Sequence, residues 1–175
     1  MFEDITVVDG SPVGVPTDAE VARTEAQLGL KLPPSYLEFV RGFGYGRLGR
    51  LVLLFSPLQG PPETLATRSP GLAETLKEGV ELELVEYEPD GSPELLQRLV
   101  PFGISENGHV WAWDPAEPQG AELPVYVLGT KLLSVTRAGA DLGDAVDCLF
   151  DERVRRVLGP GYAPLPRTFE PSKAL

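Results

Sequence analysis

Cysteine is almost missing: Cys148 is the only one in 175 residues, so neither an intramolecular disulfide nor a cysteine-based zinc cluster can form. Histidine is as scarce. His109 stands alone, and a nucleophile-and-base pair built on it would need a third group to orient the ring, which no motif here supplies. The longest apolar run, Leu51-Val52-Leu53-Leu54-Phe55, is far short of the ~20 residues that cross a bilayer. Met1-Phe2-Glu3-Asp4 carries acids where a secretory leader carries Lys or Arg, which points to the cytoplasm. Positive charge is short too, with 15 Lys and Arg against 26 Asp and Glu, a net of -11. Such a chain lacks the basic face that phosphate binding needs, which argues against direct DNA or RNA contact. Its electrostatic complement is a basic protein, although acidity also serves plain solubility.

What is present suits one folded domain: 42% hydrophobic and 23% charged residues are ordinary globular values. Residues 1–158 read as that domain and 159–175 as an extended arm, since Pro160, Pro164, Pro166 and Pro171 oppose helix. Thr17-Asp18-Ala19-Glu20 forms a capping-box pattern, and Gly29 stands where a left-handed residue would close the helix. Pro33-Pro34 opens a second helix, with Tyr36, Phe39, Val40 and Phe43 at i, i+3, i+4 and i+7. A glycine turn, Gly42 to Gly49, leads into a strand at 51–55 covered on both sides. After a loop at 57–62, Ser69-Pro70 predicts a helix start running to about Glu78, and Ser92-Pro93 starts a short helix ending near Leu99. Strands are expected at 101–105, 109–114, 125–128 and 132–136, the first two joined by the Asn107-Gly108 turn. A last helix is expected over 141–155, with Leu142, Ala145, Val146, Leu149 and Phe150 on one face. The result is an α+β fold, helices bracketing an antiparallel sheet.

Candidate chemistry fails on order or spacing. Gly44-Tyr45-Gly46-Arg47-Leu48-Gly49 has the letters of a dinucleotide fingerprint, but a helix precedes it and a strand follows, the reverse of what a pyrophosphate needs. Glu86, Glu88, Asp90 and Gly91 fall at positions 1, 3, 5 and 6 of a calcium loop, yet position twelve is Gln97, which cannot give a bidentate carboxylate. Asp144, Asp147 and Asp151 lie opposite an apolar helix face, as a solvated stripe does. Trp111 and Trp113 share a strand face with His109 and read as core anchors, while Cys148 reads as inert packing. No catalytic, cofactor or metal residues are expected.

The segment Glu25-Ala26-Gln27-Leu28-Gly29-Leu30-Lys31-Leu32-Pro33-Pro34-Ser35-Tyr36-Leu37-Glu38-Phe39 resembles the E-x-x-L-G-x-x-L-P-x-x-Y-x-x-F motif of SMI1/KNR4 (SUKH) proteins. The glycine turn and strand of 42–55, the pair 99–103 and 108–114, the strand 124–128 and Phe150 in the closing helix also look like that family. The resemblance covers about residues 17–155 and leaves the arm outside. It implies a mixed or antiparallel sheet flanked by N- and C-terminal helices, no enzymatic activity and no cofactor. In bacteria it implies an immunity protein that neutralises a polymorphic toxin, often a nuclease, and in eukaryotes a regulatory adaptor.

Charge places the candidate contact surface. Between Glu74 and Glu94 eight acids oppose only Lys77, a local net of -7, and Glu81, Glu83, Glu86, Glu88 and Asp90 form the expected partner-binding patch. A basic toxin cleft would meet it; an adaptor without a toxin partner is the alternative. A weak hydrolase would instead need a cleft with convergent carboxylates.

Overall fold

The computed structural model describes residues 1–58 and 64–172. The loop expected at 57–62 lies partly outside them. Among the described residues, six α-helices and eight strands form an α+β fold around one mixed sheet of order β1-β8-β2-β3-β4-β5-β6-β7. The strands are β1 (Thr6–Val7), β2 (Gly46–Leu48), β3 (Val52–Leu54), β4 (Val100–Ser105), β5 (Val110–Trp113), β6 (Val125–Leu128), β7 (Val135–Gly139) and β8 (Thr168–Pro171). The helices are α1 (Asp18–Leu28), α2 (Pro34–Phe43), α3 (Leu65–Glu81), α4 (Pro93–Arg98), α5 (Leu142–Asp147) and α6 (Val154–Val157). Only β1 and β8 pair in parallel; every other neighbour is antiparallel.

The opening helices follow their local signals. The Thr17 hydroxyl accepts from Glu20 N–H at 3.3 Å and the Glu20 carboxylate from Thr17 N–H at 2.9 Å, so two orphan donors of α1 are met. Gly29 closes α1 at φ 64°, a region costly for any residue with a Cβ. The Glu25 carboxylate then turns back to accept from Leu32 N–H and Lys31 Nζ. Burial alone would raise this carboxyl, but those two bonds hold it below its usual range. Pro33 offers no side-chain cap to α2. Glu122, between β5 and β6, supplies it from 87 residues away, accepting from Ser35 N–H at 2.9 Å and from Ser35 Oγ at 2.6 Å.

Two cores sit on opposite faces of the sheet. Alternation along β5 sends Trp111 and Trp113 into the larger core and Ala112 into the smaller; β6 divides Val125 and Val127 from Tyr126 and Leu128 in the same way. Helices α1, α2, α5 and α6 cover the larger core. The later turns of α3, through Leu76, and α4, through Leu95 and Leu96, cover the smaller. In the larger core Trp113 stacks on Phe102 at 4.1 Å and meets Tyr36 edge-on at 4.9 Å, and the Tyr36 hydroxyl donates to the Phe55 carbonyl. Desolvation pushes that phenol well above its ordinary value, so it stays a donor.

Five local expectations are corrected. Helix α3 starts at Leu65, not at Ser69, because Thr64 and Thr67 form the cap, with Thr64 N–H donating to the Thr67 hydroxyl at 3.1 Å. Pro70 lies inside α3 on its exposed side, where water can meet the carbonyl that its ring leaves unbonded. The same helix continues to Glu81, past the expected end at Glu78. The strand expected at 132–136 is shifted to β7, since Thr130 to Leu132 forms the turn, with Lys131 and Leu132 at φ 59° and 60°. The helix expected over 141–155 breaks into α5 and α6. Arg153 N–H, which would bond the Leu149 carbonyl in a continuous helix, donates to the Asp151 carboxylate at 2.8 Å, and Leu165 N–H takes the Leu149 carbonyl at 2.9 Å. The glycine turn also holds a strand, β2, whose partner β8 comes from the proline-rich arm and fits between β1 and β2. There Phe169 packs on Phe39 and Phe43 at 5.8 and 5.2 Å.

Candidate functional site

The acidic segment is held where the sheet ends. Helix α3 finishes at Glu81, and Leu82 N–H donates to the Glu78 carbonyl at 2.9 Å. Glu83 then takes a left-handed φ of 56°, and Leu84 N–H returns to the Gly79 carbonyl at 2.9 Å. From there the chain runs along the outer side of β7. Glu86 N–H donates to the Leu132 carbonyl at 2.9 Å, Val135 N–H to the Glu88 carbonyl at 3.0 Å, and Asp90 N–H to the Val135 carbonyl at 2.9 Å. These bonds satisfy an edge strand that would otherwise offer free donors and acceptors to other chains. Gly91 permits the approach, because a Cβ there would lie 2.6 Å from the Tyr87 carbonyl oxygen and 2.6 Å from the Val135 side chain.

The five candidate acids divide into two kinds. Glu81, Glu83, Glu86 and Glu88 are exposed. Asp90 is half-buried, and its carboxylate accepts from Arg137 N–H at 2.9 Å and from the Arg156 guanidinium at 2.7 Å. Asp90 therefore fastens the loop to β7 and to the residues after α5, while the four glutamates face outward. Leucines alternate with them: Leu82 and Leu84 are 66% and 61% exposed. The run Glu81-Leu82-Glu83-Leu84 carried this alternation in plain view, but sequence pattern assigns leucines to the interior.

The other chemical candidates lie elsewhere and are engaged in packing. His109 is buried, with Nε2 3.0 Å from the Leu158 carbonyl and Nδ1 2.8 Å from Ser105 Oγ. A carbonyl only accepts, so Nε2 carries the proton and Nδ1 accepts from the serine hydroxyl. Desolvation lowers this imidazole's pKa, and the Leu158 carbonyl offsets part of that effect. Cys148 is buried with Sγ 3.1 Å from the Ala138 carbonyl, and burial pushes its thiol up, away from the reactive thiolate. Asp114 is fully buried at the end of β5 and accepts two hydrogen bonds from Arg98, at 2.8 and 2.7 Å. Burial would raise its carboxyl; the Arg98 fork holds it below its ordinary value. A hollow of about 280 Å³ at the end of α1 is lined by Ala22, Glu25, Ala26 and Leu30, and its one carboxylate is already bonded to Leu32 and Lys31. Among the described residues, no group of three or more His, Cys, Asp or Glu could hold a metal ion. No described helix is long and apolar enough to cross a membrane.

A capped helix pair over an aromatic core, a sheet covered on both faces, and an acidic loop at its edge define a helix-flanked α+β module with an outward charged surface. The chain belongs to the SMI1/KNR4 family (SUKH-1), whose sequence profile matches residues 15–145. That span includes α1 through β7 and the start of α5. The family is of a non-enzymatic type. No curated protein matches the chain.

Proposed function

We propose that this protein is a non-catalytic binding module, an immunity protein that occupies and neutralises a cognate polymorphic toxin in the cytoplasm through its acidic edge. One observation carries the reading: Glu81 at the end of α3 and Glu83, Glu86 and Glu88 on the following loop are all exposed, and backbone hydrogen bonds and Asp90 fix that loop to the sheet. A fixed array of like charges presents its field without the entropy cost of ordering a loose loop on binding. The matching partner is a basic toxin domain. A nuclease fits best, because its phosphate-binding cleft is complementary to an acidic surface.

Co-expression with the product of the neighbouring gene, scored for survival and for complex formation, tests the assignment. Protection together with a stable complex is expected. Survival without a complex would sink direct neutralisation, and a neighbour with no toxin domain would favour an adaptor. Charge reversal of the four glutamates should slow association and flatten its salt dependence, because screening then has less attraction to remove.

A further inference from the structure

We propose that the corner where the 82–86 loop meets the β6–β7 turn is a docking surface anchored by Leu82, Leu84 and Leu133. Its occupant is a partner segment that places a large apolar side chain between Lys or Arg residues. This rests on the acidic-edge reading and adds to it the contact that retains the partner once charge has brought it in.

A single exposed leucine is ordinary. Here three are exposed, at 66%, 61% and 54%, on two loops joined by the hydrogen bond from Glu86 N–H to the Leu132 carbonyl. The backbone explains which side chains turn outward. Glu83, Lys131 and Leu132 adopt left-handed conformations. Val85 and Leu132 pack on the smaller core, and Leu84 and Leu133 beside them are left in water. Apolar surface kept exposed on a fixed scaffold marks an interaction site.

Charge identifies the occupant. Exposed Glu81, Glu83 and Glu86 lie between and beside the leucines, with Lys131 the cation of the facing turn. A second copy of this chain would bring the same acids against one another across a two-fold axis, so self-association is opposed. A segment with cations flanking an apolar anchor satisfies both features. The leucines would then govern dissociation, as desolvated central contacts do, and the rim acids association.

The probe is a displayed library of random peptides, panned on the full chain, with the enriched peptides synthesised and their kinetics measured. Enrichment of sequences with a large apolar residue between Lys or Arg is expected. Combined Leu82→Ser, Leu84→Ser and Leu133→Ser should weaken those peptides by about tenfold or more, mainly through faster dissociation. Glu81→Lys, Glu83→Lys and Glu86→Lys should act mainly on association. Because all six positions are exposed, an unchanged circular dichroism spectrum and melting temperature accompany the result, and the single serine variants serve if the triple one loses its fold. Failure to enrich any peptide, or enrichment of peptides without that pattern, overturns the proposal. Binding lost in the lysine variants but kept in the serine variants removes the leucines and leaves the acidic edge standing. Binding kept in both removes both ideas. A wild-type dimer that the serine variants disperse in sedimentation overturns it in favour of a second copy.

Discussion

The two faces of the sheet are built from different materials. On one, Tyr36, Phe39, Phe102, Trp111, Trp113 and Phe169 interlock beneath α2 and no described member of the cluster is exposed. On the other, a smaller and mainly aliphatic cluster of Leu76, Val85, Leu95, Leu96 and Leu128 supports a loop that leaves leucines and glutamates in water. The aromatic face contains the residues of the opening motif. The aliphatic face supports the charged edge. Fold specification and the proposed partner contact thereby fall on opposite sides of one sheet, so residues of the outer loop can change with little disturbance to the aromatic packing.

Substitutions should separate the two faces in graded steps. Trp113→Ala removes a fully buried ring from the stack with Phe102 and Tyr36 and should cost about 3–5 kcal/mol, read from the urea midpoint. Arg98→Ala strands the buried Asp114 carboxylate and should cost about 2 kcal/mol, below the usual figure for a broken buried pair because Arg98 is partly in water. The same pair sets a pH dependence. The Asp114 pKa is depressed in the fold, so its stabilisation is complete above the ordinary carboxyl value and is lost as pH falls through the lower folded value. Asp114→Asn should remove that part of the acid slope when urea midpoints are compared across pH. Gly91→Ala forces a Cβ onto Tyr87 and Val135 and should cost about 1–2 kcal/mol, with faster hydrogen exchange at the Val135 and Arg137 amides while amides of α2 keep their protection. Smallest of all, Glu81, Glu83, Glu86 and Glu88 changed together to Lys should scarcely move the melting temperature, since all four are exposed. A large loss there would show that the acidic edge stabilises the fold and would erase the contrast between the faces.

Much of the aromatic face was legible because its signals are local. The Thr17–Glu20 cap, Gly29, and the spacing of Tyr36, Phe39, Val40 and Phe43 each act within a few residues, and the structure realises them. The errors fall where distant residues decide. Helix α6 separates from α5 because Leu165 takes a carbonyl that a longer helix would use, and β2 becomes a strand because β8 reaches it from the arm. Of the acidic patch, the sequence disclosed the charge but not the division of labour: Asp90 resembles its neighbours until Arg137 and Arg156 are brought to it. The exposed leucines had a visible pattern and no visible orientation.

The insertion of β8 between β1 and β2 also orders events during folding. Thr6 pairs with Thr168, so β1 finds its neighbour only in a segment far later in the sequence. Until then the nascent sheet ends at β2, with Phe39 and Phe43 lacking Phe169. Closing so long a loop is a late and comparatively slow step. A chain interrupted before Thr168 would therefore leave β1 without a neighbour and keep exposed the aromatic surface that β8 covers.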